Sequence, residues 1–193
     1  MSIPPADAIN EILFAGNTTA ALTTHASEIT REVMELFEEH RNSLMRYVLS
    51  FGISVHDAEE VTQEVFLSLF CHLQLRKSRQ NLRGWIFRVA HNLALKTRHA
   101  NQKHRNTMDA DLVIAEMQSD PSPNPEEQLS FAQRRRRLLA VLNVLPEADR
   151  HCLRLRAEGL RYREIAQVLD ISLGAVSISL TRSLARLTRA DGR

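Results

Sequence analysis

The chain has 193 residues, a hydrophobic share of 44%, an aromatic share of 5%, and a formal net charge of +2 from 25 Lys and Arg against 23 Asp and Glu. That length fits one domain or two small ones, and the composition is that of an ordinary globular chain. No apolar run approaches about 20 residues, which argues against a membrane-spanning helix, and no basic segment followed by an apolar one opens the chain, which predicts a cytoplasmic protein without a secretion signal.

In chain order, residues 1–27 form a polar, Thr- and Ala-rich arm with Pro4-Pro5, predicted to be loosely held apart from a short helix over Asn10–Ala15. From about Glu28 the helical period is strong, with Val33, Leu36, Phe37, His40, Leu44, Tyr47 and Val48 recurring at three and four. Gly52 and a Ser54 cap break the chain before a second helix, Val55 to about Leu73. Leu75–Asn81 reads as a basic, polar loop. A third helix, about Leu82 to Ala100, carries Trp85, Ile86, Val89, Ala90 and Leu93 inward, with Trp85 a core residue rather than a stacking platform.

The three prolines of Asp120–Glu126 alternate, which favours extended backbone, so residues 107–126 are predicted to be a linker. Beyond it, Leu138–Val144 is helical, and Pro146-Glu147 starts a helix that runs to about Ala157 and stops at Gly159. Two further helices follow. Ile165, Ala166 and Leu169 line one; Val176, Leu180, Leu184 and Leu187 line the other, and Ser172 is placed to cap it. A turn this tight predicts a helix-turn-helix whose second helix enters a major groove. No alternating β-branched run appears, so the fold class is all-α: two small helical domains, residues 28–106 and 127–193, joined by a Pro-rich linker.

Basic residues occur only within Arg31–Arg105 and Arg134–Arg193. Two basic blocks around an uncharged-to-acidic tether suggest two nucleic-acid-facing modules. Cys71 and Cys152 lie far apart among apolar residues and are expected to be buried, reduced thiols. The eight histidines lack paired zinc spacing, so no metal or other cofactor is expected. No Gly-rich phosphate loop or nucleophile motif marks an enzyme.

Two strings carry the function. Asp57-Ala-Glu-Glu-Val-Thr-Gln-Glu-Val-Phe-Leu67 sets Asp57, Glu60 and Glu64 on one side of an amphipathic helix. Asn81-Leu-Arg-Gly-Trp-Ile-Phe-Arg-Val-Ala-His-Asn-Leu-Ala94 sets basic and amide groups opposite an aromatic-anchored core. Together with the tethered helix-turn-helix, these resemble the extracytoplasmic-function (ECF) class of bacterial RNA polymerase sigma factors over about Glu32–Arg105 and Leu138–Arg189.

The resemblance implies a non-enzymatic initiation factor that binds core RNA polymerase, recognises −10 and −35 promoter DNA and helps to melt it, with an anti-sigma protein as a further partner. It implies polymerase docking by Asp57, Glu60, Gln63 and Glu64. It implies −10 contacts by Arg76, Lys77, Arg79, Gln80, Asn81, Arg88, His91, Asn92, Lys96 and Arg98. These supply cations for the backbone and amides for base edges. For −35 DNA it implies Arg161, Arg163, Ser177, Ile178, Ser179, Thr181, Arg182 and Arg186. Here the chain departs from the family, whose second helix is commonly rich in Arg and Lys, and Asp170 stands where the turn usually has Gly. The alternative is an autonomous helix-turn-helix regulator, which leaves the paired acidic and amide-rich helices unexplained.

Overall fold

The computed structural model describes the backbone over residues 6–105 and 125–191, and the side chains over residues 26–103 and 132–191. All regular structure among the described residues is helical: α1 Ala6–Leu49, α2 Val55–Gln74, α3 Leu82–Arg105, α4 Pro125–Val144, α5 Glu147–Ala157, α6 Tyr162–Leu169 and α7 Leu173–Asp191. Helices α1–α3 pack together, α5–α7 form the helix-turn-helix unit, and α4 lies along α7.

Three boundaries differ from the sequence pattern, the simplest being α3, which runs to Arg105 rather than to about Ala100. The first helix begins at Ala6 rather than near Glu28, because after Pro5 no proline and only Gly16 interrupts a run able to hold helix. Helix α4 begins at Pro125, so Pro125 and Glu126 belong to it and not to the linker. Proline suits the first helical position, where its missing N–H has no partner to lose, and Glu126 and Glu127 sit at the positive end of the dipole. Residues 107–124, the rest of the expected linker, lie outside the described residues.

The core of the first three helices is Leu44, Tyr47, Val48, Phe51, Val65, Leu69, Leu73, Ile86, Phe87 and Ala90, all buried. Phe37 meets Phe66 edge-on at 5.0 Å between centroids. Trp85 is half-buried against His72. Cys152 is buried, but Cys71 is exposed. Leu69 and Leu73 fix the inward face of α2, and two residues from Leu69 is about 200° around the helix.

The sequence-based capping expectations are met by local geometry. The N–H of Asp57 donates to Ser54 Oγ at 3.0 Å, and the Ser54 N–H donates back to Asp57 Oδ2 at 3.3 Å. The Ala175 N–H donates to Ser172 Oγ at 3.1 Å. Asp170 ends α6 in the left-handed region at φ 54°, a conformation that costs a non-glycine residue about 1 kcal/mol.

Candidate nucleic-acid interface

The acidic face of α2 is built as the heptad-like spacing dictates. Ala58, Val61, Val65 and Leu69 turn inward, which leaves Glu60, Gln63 and Glu64 exposed. With Leu67 and, across from α3, Leu93 and Lys96, they line an open groove with an apolar floor and an acidic rim. Asp57 is different. It is half-buried, closes the cap of α2 and accepts a hydrogen bond from Asn101 Nδ2 at 2.9 Å. The bond to Ser54, aided by Asn101, holds its carboxyl below the ordinary range. Asp57 therefore fixes where the acidic face starts, and its carboxylate is already engaged.

The loop before α3 keeps Arg76, Lys77 and Gln80 in solvent. Arg79 pairs with Glu32 of α1 at 3.2 Å. Asn81, at φ 52°, starts α3: its Oδ1 accepts the Gly84 N–H at 3.1 Å. A Cβ on Gly84 would lie 2.3 Å from Asn81 Nδ2, so this cap needs glycine there. Along α3, Arg88, Asn92 and Lys96 recur every four residues on one exposed face. That stripe of cation, amide and cation suits a nucleic-acid backbone with base edges within reach.

His91 and Arg98 leave the stripe. His91 is buried, its Nδ1 lies 2.8 Å from the Tyr47 hydroxyl, and burial lowers its pKa to about 4. Arg98 forms an ion pair with Glu147 of α5 at 2.5 Å. The resemblance implies that both contact DNA; here they lie in the contact with the second half instead, because the side of α3 away from the stripe is covered by α5 and α6.

In the helix-turn-helix, α6 and α7 meet at 107°, within the range of such motifs. Ser177, Ile178 and Thr181 face outward, and Ile178 is 66% exposed. Arg161, Arg163 and Arg186 are exposed. Ser179 is not: it is buried and donates to Asp149 Oδ1 at 2.8 Å. Arg182 holds the same carboxylate through Nη2 at 2.7 and 2.9 Å. The inward face of α7 is thus Val176, Ser179, Leu180 and Ser183, while Leu184, expected inside, is exposed. The cause is Asp149, a buried carboxylate on α5 that fixes the rotation of α7. Sequence reading passed over it. Its signal is a charge on the apolar side of α5, three residues before Cys152, matched by Ser179 in the inward register of α7.

Two families match these two halves: Sigma-70 region 2 over residues 36–104 and Sigma-70 region 4 over residues 135–187. The RNA polymerase sigma factor NccH of Alcaligenes xylosoxydans is 30% identical over 156 residues, 80% of this chain and 83% of that protein. The chain belongs to the ECF class of the sigma-70 family. It is an RNA polymerase sigma factor. The ECF sigma factor SigE of Mycolicibacterium smegmatis is 31% identical over 159 residues, covering 79% of this chain and 59% of that longer protein. Among solved structures, CnrH in complex with the cytosolic domain of CnrY superposes with a TM-score of 0.58 at 23% identity, over 86% of this chain and 92% of that one. RpoE of Bartonella quintana, bound to the anti-sigma factor NepR, gives 0.60 at 16% identity, over 83% and 96%.

In this sigma factor the two matched regions are packed against each other, and their buried apolar residues form one continuous cluster. His151 of α5 enters between the regions, stacked on Phe51 at 4.7 Å and perpendicular to His91 at 5.0 Å. Around this centre, Arg46 makes a two-pronged bond to the Glu158 carboxylate at 3.1 and 2.6 Å, Arg83 donates to the Glu158 carbonyl, and Asn81 Nδ2 donates to Gln167 Oε1 at 2.8 Å. Gly159, at φ 85°, lies against the Arg83 guanidinium. Asn81, His91 and Arg98 are therefore committed to the seam. Among the described residues no cluster of three or more His, Cys, Asp or Glu is placed to hold a metal, and no single helix is long and apolar enough to cross a membrane.

Proposed function

We propose that this sigma factor docks on core polymerase through Glu60, Gln63 and Glu64 around the apolar floor of the α2–α3 groove, with Asp57 fixing the helix start. An exposed acidic rim on a rigid helix supports this reading, since complementary charge sets register and encounter rate. The −10 strand is held by the Arg88–Asn92–Lys96 stripe with Arg76, Lys77, Arg79 and Gln80 from the loop. The −35 duplex is read by Ser177, Ile178 and Thr181, with Arg161, Arg163 and Arg186 on phosphates; Ser179 and Arg182 act from behind, through Asp149. The protein works as a binding factor in the cytoplasm and carries out no chemistry of its own, and a protein of the anti-sigma type is its expected antagonist.

The observation that carries the assignment is the pairing of an exposed acidic rim on α2 with a cation–amide stripe on the adjacent α3, the two meeting where Lys96 reaches the edge of the groove. An autonomous regulator has no use for the first. The deciding experiment is transcription by purified core polymerase from a promoter library with and without the chain. Start sites that depend on the chain and share −10 and −35 sequences support the reading. Palindromic duplex binding without polymerase, and no new start sites, would overturn it.

A further inference from the structure

The seam between the two matched regions is held largely by apolar and uncharged packing at its centre and by ion pairs at its edge. At that centre stand two imidazoles from opposite sides: His91 of α3 is 8% exposed and His151 of α5 is 5% exposed. Their rings meet at right angles at 5.0 Å, enclosed by Tyr47 of α1 and Phe51 in the turn that follows it. His151 Nδ1 is buried without a hydrogen-bond partner. We propose that the His91–His151 pair is an acid-released latch between the region 2 and region 4 halves, which frees Asn81, His91 and Arg98 when it opens. Release depends only on the seam; its consequence for promoter binding rests on the DNA-reading role proposed above.

The charges around the pair decide the direction. From α1 the pair faces the Tyr47 hydroxyl, which is neutral because burial raises its pKa. From α3 it faces Arg98, and from α5 it faces Arg154 and Glu147. Among the described residues, Glu147 is the one carboxylate acting on both rings, 3.5 Å from His151 Nε2, but it already neutralises Arg98 at 2.5 Å. Burial acts first and the arginines and the facing ring act with it, so both imidazoles are held below 6.5, His91 at about 4. A second proton across 5.0 Å of apolar surroundings adds repulsion between like charges. A histidine depressed in the closed form and ordinary in the open form stabilises closure above pH 6.5, and that stabilisation is lost as pH falls from 6.5 towards the closed-form value. Between about pH 7.5 and about pH 5.5 release of His91 alone raises the open-to-closed ratio about tenfold, and release of His151 acts in the same direction.

Small-angle X-ray scattering of the full chain, with far-UV circular dichroism alongside, tests the latch without DNA or polymerase. The radius of gyration is expected to rise between about pH 7.5 and about pH 5.5 at constant helicity. The His91→Gln, His151→Phe double variant, which keeps an acceptor for Tyr47 and a ring on Phe51, is expected to stay compact over that range. Unchanged dimensions of the parent chain overturn the proposal, as does equal expansion of the variant or expansion accompanied by helix loss. Should the variant fail to fold, imidazole NMR of the parent chain decides: midpoints for His91 and His151 below 6.5 support the latch, and ordinary midpoints sink it. Failure of promoter reading would leave these solution measurements unmoved.

Discussion

In the reading proposed above, helices α3 and α7 both face nucleic acid, and they solve the task differently. Helix α3 presents charge: Arg88, Asn92 and Lys96 stand free on one side, while its other side is buried in the seam. Helix α7 presents Ser177, Ile178 and Thr181, and its one central guanidinium, Arg182, is turned to the buried carboxylate of Asp149. A charged stripe binds any phosphate chain and loses affinity in salt. An uncharged face adds little affinity alone and relies on being held near its site by the rest of the complex. The comparison suggests that region 2 supplies grip and region 4 supplies placement.

The most damaging way to break this contrast is Asp149→Ala. It strands the Ser179 hydroxyl and half of the Arg182 guanidinium, and because Arg182 can rehydrate on its exposed side the loss is about 2–3 kcal/mol. A urea titration followed by circular dichroism measures it, and an unchanged midpoint would show that α7 is not oriented through α5. Next in size, Glu60→Arg with Glu64→Arg should weaken core binding at least about tenfold with helicity unchanged, by reversing charge on an exposed face. Competition against another sigma factor reads this directly.

Gly84→Ala should cost about 1 kcal/mol, since the new Cβ displaces the Asn81 side chain and removes the cap of α3. Thermal melting in parallel with Ala90→Gly, a core control, separates cap loss from general loosening. Asn92→Ala should lower transcription from duplex promoters several-fold more than from templates opened in advance at the −10 element, on the order of 1 kcal/mol; equal loss on both would move Asn92 out of strand capture. The smallest effect sharpens the contrast. Ser177→Arg adds a cation to the outward face of α7 and should steepen the salt dependence of duplex binding by about one unit. Ser179→Arg is no substitute, because position 179 points into the core.

What could be read in the sequence was whatever neighbours in the chain decide. The Ser54 and Ser172 caps, the stop at Gly159 and the left-handed Asp170 involve residues within a few positions of one another, so their geometry follows from local bonding. The all-α class and the acidic face of α2 follow from period alone. Cys71, expected inside, falls on the outer side of α2, opposite Leu69 and Leu73. His91, Arg98 and Ser179 differ from the sequence pattern for another reason: a partner helix decides whether each is covered. Nothing within α3 announces that α5 covers His91, and nothing within α7 says that Ser183 rather than Leu184 turns inward. Those outcomes depend on Asp149 and His151, which lie some 50 to 60 residues from His91 and about 30 from Ser179.

Gly159 carries a consequence for how this sequence can drift. Its φ of 85° ends α5 in a conformation that side chains resist, and a Cβ there would come within 3.1 Å of Arg83 from the other half of the molecule. Asn tolerates the left-handed turn yet would intrude on the guanidinium; a shortened residue 83 would make room yet leave the turn strained. Position 159 is thus bound by a local rule and a remote one together: the turn asks for a residue that accepts positive φ, and the Arg83 guanidinium must shift by a few tenths of an ångström to admit any side chain.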